Sequence, residues 1–496
     1  MSAPLEKLLR DARIDLVLSR IEKDPSIINE VVDHLNSEIR SVKFNSINVL
    51  GELGEKSEKA VPLLTSCLED DDWSICREAA RTLGKIGIIA QNALPKISKL
   101  LTDKEDSIRK EAAIALGRIG NPTSDSLNAL KNALNDRNEE VRTEAANALG
   151  EIGSEAYEAI PELMESIKDT SWVVRTASAH AISQIGKGSV KAIPTLINAM
   201  QDDDWRVRYR VVNTLASMGE LAVPALLEAL NSKNKTVVKE ALDCLGEIKI
   251  ADPKIINSIS NLLASRSEVV SGKAADALRS IGKESVPSLI EAYDKVNKKM
   301  KITIISSIGG IGLDAEEAIP FLIKILVPHE EINPFDLKER REQLYSKSFS
   351  SKLRGFFEEL NTLRLINLYA LLYVKRFSRS ILIKVEAVRA LGNIGKNSES
   401  VVSALEFALI NPKQIVRRAA ALSLGKMGST ANIAVPSLIE ALEDRKPDVR
   451  WRASEALGII GDNSDEVLTG LNELIHDKCD YVCESAINAL DTLTEQ

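Results

Sequence analysis

Small and apolar side chains recur along this chain with helical spacing, at positions i, i+3, i+4 and i+7 of segments such as "VRTEAANALGEIG". Each such segment follows another of the type "AIPELMESIKD". There proline stands in the first turn of a helix, where its missing N–H costs no hydrogen bond. The pattern therefore predicts pairs of helices, which we call the first helix (the proline-bearing segment) and the second helix.

The pair of helices is repeated along the whole chain. The pattern L-G-x-I-G closes the second helix, and its final position recurs every 33 residues, except for two intervals of 30 and one of 83. Neither helix can bury its apolar side alone, so successive repeats must stack on one another. Thirteen repeats result, and they end at Gly54, Gly87, Gly120, Gly153, Gly186, Gly219, Lys249, Gly282, Gly312, Gly395, Gly428, Gly461 and Thr494.

A second motif places an aspartate six residues before an arginine that follows valine or isoleucine. Five repeats carry both residues: Asp103 and Arg109, Asp136 and Arg142, Asp169 and Arg175, Asp202 and Arg208, Asp444 and Arg450. Over about residues 27–494 the chain resembles the HEAT repeat in its short form, similar to that of phycobilin lyases. The resemblance implies an all-α fold, a right-handed superhelical α-solenoid of about thirteen two-helix repeats. It also implies that second helices line the concave side and that the aspartates and arginines form a ladder between repeats.

The repeats define the expected domain organisation. We predict an N-terminal helical cap at 1–26, followed at 27–327 by repeats one to nine and the first helix of repeat ten. An insertion follows at 328–377, and 378–496 hold the second helix of repeat ten and repeats eleven to thirteen. The insertion is rich in aromatic residues. Its second half has helical apolar spacing, which is compatible with a helix packed on the solenoid edge or with a partner-docking element.

The ladder motif is incomplete in several repeats. Cys76 and Cys483 replace the arginine in repeats two and thirteen, while repeats seven to nine carry Val238, Ser271 and Lys301 there. Between about residues 230 and 312 the ladder is therefore expected to be interrupted. Both short intervals of 30 residues also fall in this region, which predicts that it is the least rigid part of the solenoid.

Composition narrows the class of protein. The net charge is −8 and 27% of residues are charged, which disfavours non-specific binding of polyanions by the whole molecule. The N-terminus has no apolar segment of the kind found in signal peptides, and no run of 18 apolar residues is available to span a membrane. Five cysteines, an odd number, indicate reduced thiols. These features predict a cytoplasmic protein.

Catalytic chemistry is not expected. The chain has four histidines, and its single His–Glu pair, His329–Glu330, lies in the insertion, whereas di-iron HEAT proteins carry several such pairs. The glycines of L-G-x-I-G follow no strand, so we assign them to helix ends rather than to a phosphate-binding loop. His476, Cys479 and Cys483 lie close in sequence, but a zinc site wants four ligands and no second cluster exists. We predict no enzyme activity, no cofactor and no metal site.

Candidate binding residues are those that the repeat does not require. In "DDDWRVRYRVV", Asp202 and Arg208 are ladder residues, and Trp205 recurs as Trp73 and Trp172, which predicts a packing role. Other side chains share an outward face of the second helices, and Trp451 is expected either to be exposed or to fold over the next repeat. The candidate partner-binding residues are His180, Arg206, Tyr209, Arg210, Asn213, Arg418, Trp451 and Arg452.

The charge along this face bears on the class of partner. Glutamates such as Glu78, Glu111 and Glu240 occupy neighbouring positions, so the face is predicted to be mixed rather than positive. A mixed face favours a protein partner, and we predict a non-catalytic scaffold that binds a protein along the concave side. Nucleic acid is an alternative, because basic residues alternate with aromatic ones. An accessory factor resembling phycobilin lyases, which would handle a tetrapyrrole, is another.

Overall fold

The computed structural model describes residues 4–327, 366–395 and 398–494, and for 366–378 it describes the backbone alone. Helices and turns account for the regular structure of these residues, and no strand occurs among them. The chain divides into two compact units, Met1–Ile248 and Lys249–Gln496. The predicted all-α class and the repeated two-helix architecture are confirmed.

The first unit consists of sixteen α-helices among its described residues. They are α1 (Leu5–Arg10), α2 (Ile14–Lys23), α3 (Ile27–Asp33), α4 (Arg40–Leu53), α5 (Val61–Cys67), α6 (Trp73–Ile86), α7 (Leu94–Leu100), α8 (Asp106–Ile119), α9 (Ser124–Ala133), α10 (Glu139–Ile152), α11 (Ile160–Ser166), α12 (Trp172–Ile185), α13 (Ile193–Ala199), α14 (Trp205–Ser217), α15 (Val223–Ala229) and α16 (Lys235–Ile248).

The described part of the second unit continues the same alternation. Its helices are α17 (Pro253–Ser260), α18 (Glu268–Ile281), α19 (Val286–Tyr293), α20 (Lys298–Ile311), α21 (Ile319–Leu326), α22 (Ile366–Ile394), α23 (Glu399–Leu409), α24 (Gln414–Met427), α25 (Val435–Leu442), α26 (Pro447–Ile460), α27 (Asp465–Leu474) and α28 (Asp480–Thr494).

In the first unit the helices form two layers with the core between them. The second helices α4, α6, α8, α10, α12, α14 and α16 pack in order against one another, and each also packs on the first helix of its own repeat. Leucines from both layers, such as Leu64 and Leu83 of repeat two, are fully buried between them. Each such leucine contributes roughly 1.5–3 kcal/mol relative to an exposed one. The stacked core explains why no single repeat could fold alone.

The two glycines of L-G-x-I-G have different roles. Gly153 has φ +72° and ends α10, as expected. The preceding Gly150 lies inside the helix, and a Cβ there would stand 3.0 Å from the Cα of Ala181 on α12. Likewise, a Cβ on Gly117 would stand 2.8 Å from the Cα of Ala148. The expectation that all these glycines are helix ends is therefore wrong, because the first of each pair permits close contact between second helices.

The ladder joins successive repeats, as the resemblance implied. In repeat four, Arg142 donates from Nε and Nη2 to the carboxylate of Asp169 in repeat five, at 2.7 and 2.9 Å. Its Nη1 donates to the carbonyl oxygen of Asp136 in its own repeat, at 2.9 Å. The same three contacts recur at Arg109, Arg175, Arg417 and Arg450.

The ladder extends further than the sequence motif indicates. Lys43 of repeat one pairs with Asp70, and Arg208 pairs at 3.1 Å with Glu240 on α16, although Ser232 replaces the expected aspartate. In repeats eight and nine, Ser271 and Lys301 make contacts within their own repeats instead. The predicted interruption therefore begins only after Glu240, because a longer acidic side chain from another position of the next repeat reaches the arginine.

The predicted N-terminal cap and the end of the predicted insertion can be compared with the structure. Helices α1 and α2 precede repeat one, and Asn45 on α4 donates a hydrogen bond to the carbonyl oxygen of Leu9 at 2.7 Å. Helix α22 runs without a break from Ile366 to Ile394 and includes the last residues of the predicted insertion. The proposed docking or edge-packing role of the insertion concerns residues 328–377, whose side chains lie outside the described part of the chain.

Candidate partner-binding surface

The "DDDWRVRYRVV" stretch forms the turn before α14 and its first two helical turns. The Asp204 carboxylate accepts the Arg206 N–H at 2.8 Å, which caps the N-terminus of α14. Val207 and Val211 are fully buried against neighbouring helices. This burial fixes the rotation of α14, so that Tyr209 lies on its open side.

Two tryptophans border this face. The guanidinium carbon of Arg206 lies 3.5 Å from the ring centroid of Trp172 on α12, and Arg206 also pairs with Asp204 at 2.6 Å. Trp172 is 36% exposed, whereas Trp205 at the start of α14 is 64% exposed. Repeat seven has Thr236 at the position that corresponds to Arg206. The threonine side chain is too short to cover the Trp205 ring in the way that Arg206 covers Trp172.

The predicted packing role of these tryptophans is therefore wrong for Trp205 and for Trp73, which is 48% exposed. Each is the first residue of its second helix, and each side chain is more exposed than that of Trp172, whose ring lies under the Arg206 guanidinium. Sequence recurrence pointed to a common position, but it could not distinguish a buried from an open one.

Arg210 and His180 lie together between α14 and α12. The Arg210 Nη1 atom is 3.3 Å from Nδ1 of His180. Partial burial and the neighbouring Arg210 charge both lower the pKa of His180, so the ring is neutral near pH 7 and accepts the hydrogen bond. The Nε atom of Arg210 is buried and has no hydrogen-bond partner.

Tyr209 completes this group, since it follows Trp205 by one helical turn and is 59% exposed. Of the five candidate residues on α12 and α14, the structure brings four together and adds two tryptophans. The fifth candidate, Asn213, is half-buried on the next turn of α14. We call the assembled residues the repeat-six patch: Trp172, His180, Trp205, Arg206, Tyr209 and Arg210.

The second predicted group lies in the other unit, on α24 and α26. Arg418 pairs with Asp448 at 3.6 Å, and the Arg452 guanidinium carbon lies 3.7 Å from the ring centroid of Trp451. The Trp451 ring packs edge-to-face on Tyr481 of repeat thirteen, with the centroids 5.7 Å apart. Trp451 is half-buried by this contact, so it folds onto the next repeat rather than standing exposed.

The glutamates of the second helices contribute less to the open face than expected. Glu78, Glu111 and Glu240 are all buried. Arg81 pairs with Glu111 at 2.6 Å and with Glu78 at 3.4 Å. The prediction of an openly mixed face is therefore wrong at these positions, because Glu111 and Glu240 are buried in ion pairs between adjacent repeats and Glu78 is buried in a pair within its own helix.

The cysteines, histidines and acidic residues can be compared with the requirements of a metal site. No three His, Cys, Asp or Glu side chains there are close enough to hold a metal ion. Burial raises the pKa of the Cys76 thiol to about 11, and it also raises the pKa of Cys244, so both thiols are protonated near pH 7. Nor does any helix of the described residues have the length and apolar character needed to cross a membrane.

Comparison with known proteins bears on the family. Segments of the chain match the family of HEAT repeats, and residues 416–444 match the PBS lyase HEAT-like repeat. No curated protein matches the chain. The segments matching HEAT repeats are 7–84, 70–134, 127–197, 181–246, 223–309 and 433–491, which together span well over half of the sequence.

Several solved structures are similar to this chain at low sequence identity. A complex of Kap95p with RanGDP is 13% identical, with 95% of this chain and 77% of that one covered and a TM-score of 0.46. Importin beta is 11% identical, with 97% and 69% covered and a TM-score of 0.46. The CpcE–CpcF complex of phycocyanin lyase from Nostoc sp. is 24% identical, with 48% and 94% covered and a TM-score of 0.31. On the strength of the repeat matches, the two-layer stacking and the Asp–Arg ladder, this chain belongs to the HEAT-repeat family.

Proposed function

We propose that this HEAT-repeat protein is a non-catalytic scaffold that binds a protein partner along its second helices, with the repeat-six patch as the principal contact. The resemblance to HEAT repeats implies that the second helices lie on the concave side of the solenoid. A fold of this family hosts many functions, so the argument depends on the patch and not on the fold.

The observation that carries the proposal is the exposure of two large aromatic side chains beside arginines. Trp205 and Tyr209 are 64% and 59% exposed and lie one helical turn apart on α14. Trp, Tyr and Arg are the residues most enriched in the energetic centres of protein interfaces. Within the repeat neither ring is needed for packing, since the core contacts of α14 are made by Val207 and Val211.

Nucleic acid fits this surface less well. A strand binds through a series of cations that follow its phosphates, together with aromatic faces for its bases. Here Arg206 pairs with Asp204, and Arg208 pairs with Glu240. The Trp172 ring is also covered on one face by the Arg206 guanidinium. Most of the positive charge near the patch is therefore already neutralised by acids of the chain itself.

The test compares partner capture by the parent chain and by the double variant Trp205→Ala/Tyr209→Ala. The immobilised full chain is incubated with extract of its source cells, and retained proteins are quantified by mass spectrometry. Tyr157→Ala is the matched control, because Tyr157 is 57% exposed but stands in the turn between repeats four and five, at the opposite end of α10 from its ladder.

We expect a set of proteins enriched at least tenfold by the parent and by Tyr157→Ala over the double variant. Tenfold corresponds to about 1.4 kcal/mol of binding free energy. Melting temperatures should stay close to that of the parent, because exposed side chains contribute little to folding. Equal capture by the double variant would show that the patch is not the contact. A steep log-linear loss of binding with salt would instead indicate nucleic acid.

A further inference from the structure

In the repeat-six patch, an arginine stands at a position where several other repeats carry glutamate. In repeats two, three, four and seven, the position two residues after the ladder position is glutamate: Glu78, Glu111, Glu144 and Glu240. Glu78, Glu111 and Glu240 are buried and ion-paired with arginine or lysine. Repeat six has Arg210 at this position, which reverses the sign of the charge; repeat twelve has Arg452 there, but Arg452 pairs with Glu455.

The neighbouring repeat does not compensate for this reversal. In repeat two, the position facing the next repeat's glutamate is Arg81, which pairs with Glu111. In repeat five the same position is His180, which faces Arg210 and is neutral near pH 7. Within the described part of the chain, Arg210 has no ion pair with an acidic side chain, and its buried Nε has no hydrogen-bond partner.

A half-buried guanidinium without an anion is an unfavourable arrangement unless something supplies one. Partial burial strengthens its interaction with an incoming anion relative to a fully solvated arginine. The adjacent rings of Tyr209 and Trp205 are open and offer apolar contact area on the same helix. The surface therefore combines one uncompensated positive charge with two aromatic anchors, which matches a single carboxylate flanked by apolar groups.

We propose that the repeat-six patch binds a peptide segment in which an acidic side chain pairs with Arg210 and the flanking residues pack on Tyr209 and Trp205. This inference rests on the proposed scaffold function and specifies the chemistry of the partner. A single uncompensated cation suits one carboxylate of a protein better than the repeated phosphates of a strand. The nearby Arg206 is already paired with Asp204.

The test uses two immobilised libraries of peptides of about twelve residues, randomised around a central fixed residue that is Asp in one library and Lys in the other. The labelled full chain is expected to be retained at least tenfold more by the Asp library. Arg210→Glu should abolish this preference, and Arg210→Lys should keep part of it. Since buried glutamates occupy the same position in repeats two, three and seven, Arg210→Glu is compatible with the fold.

Two further variants separate the loss of the Arg210 charge from unfolding and from a general effect of charge. Arg210→Gln removes the charge without reversing it and should also lose the preference, which covers the case that Arg210→Glu melts early. Arg137→Glu alters an exposed arginine in the turn of repeat four, whose Nη2 donates to the carbonyl oxygen of Lys104, and should leave the preference intact.

Equal retention by the two libraries, or an undiminished Asp preference in Arg210→Gln, would overturn the proposal. Tighter binding of a twelve-nucleotide oligothymidylate than of the Asp peptides, lost in Arg210→Gln, would assign the patch to nucleic acid. If capture from extract depends on Trp205 and Tyr209 but the libraries are retained equally, the scaffold function stands and the acidic partner does not.

Discussion

The ladder predicts a specific loss of stability when one rung is removed. In Arg142→Ala, the carboxylate of Asp169 loses two hydrogen bonds of 2.7 and 2.9 Å, and the Asp136 carbonyl oxygen loses one of 2.9 Å. The side chains of Arg142 and Asp169 are only 14% and 12% exposed, so the remaining carboxylate is largely shielded from water. Removing one partner of a buried pair costs about 3–5 kcal/mol.

We expect the lower end of that range, about 3 kcal/mol, because the backbone N–H of Ser171 still donates to Asp169 at 2.8 Å. Urea unfolding followed by circular dichroism measures the change in free energy. Hydrogen exchange by mass spectrometry then locates it, since a repeat array need not unfold in one step. Exchange should accelerate most in repeats four and five, on either side of the lost rung.

Arg10→Ala is the matched control, because Arg10 and Glu6 are exposed side chains four residues apart on α1, paired at 2.6 Å. Such pairs contribute about 0.3–0.5 kcal/mol, so the two variants should differ several-fold in their effect. If Arg142→Ala were no more destabilising than Arg10→Ala, the rung would be a solvated ion pair and its assigned contribution to stacking would be refuted.

The same rung predicts a dependence on pH. Burial alone would raise the pKa of Asp169, but hydrogen bonds from Arg142 and from Ser171 outweigh this effect and hold the pKa below its usual value. A lowered folded pKa stabilises the fold above the unfolded value near 3.9 and loses this contribution as pH falls through the folded value. The stability difference between the parent and Arg142→Ala should therefore be largest near neutral pH and shrink below about pH 4.

Three other outcomes are expected. Gly117→Leu should destabilise the first unit by about 1–3 kcal/mol or more, because a Cβ at this position already meets the second helix of the next repeat. An unchanged midpoint of urea unfolding would contradict that contact. Amide exchange should be faster across 250–312, which has no ladder arginine, than across 100–210, and uniform protection would refute a weaker region. Arg210→Glu should raise the pKa of His180, because a nearby negative charge replaces a positive one. If an NMR titration showed no rise, the two side chains would not be in contact.

Most of the fold could be predicted from the sequence, because its information is local and periodic. Proline near the start of the first helix and a positive-φ glycine after the second helix mark most of the repeats, and apolar residues at helical spacing mark their helices. The ladder was implied by the resemblance to HEAT repeats, because the same Asp and Arg positions recur in consecutive repeats, as in Asp136 and Arg142 and in Asp169 and Arg175. The pattern did not predict the partner of Arg208: Ser232 stands in the aspartate position of the next repeat, and Arg208 pairs with Glu240 instead.

The candidate surface was predicted only in part. Arg206, Tyr209 and Arg210 stood out because the repeat does not require them, and the structure places them on one face of α14. Their exposure could not be predicted in the same way. Trp205 and Trp172 hold equivalent positions, yet one is open and the other is covered by an arginine from the next repeat.

The sequence by itself thus determined the repeat, the alternation of the two helices and the residues that join one repeat to the next. Only the tertiary structure decided which side chains remain open, since exposure depends on the residue that stacks opposite, about thirty positions away. Glu111 is buried because Arg81 of the previous repeat reaches it, while Arg210 at the equivalent position meets His180 and keeps its charge uncompensated. The physical reason is that these pairs form between side chains of adjacent stacked repeats. A periodic sequence pattern gives the position of each side chain in its own repeat, but it does not give the side chain that it contacts in the next one.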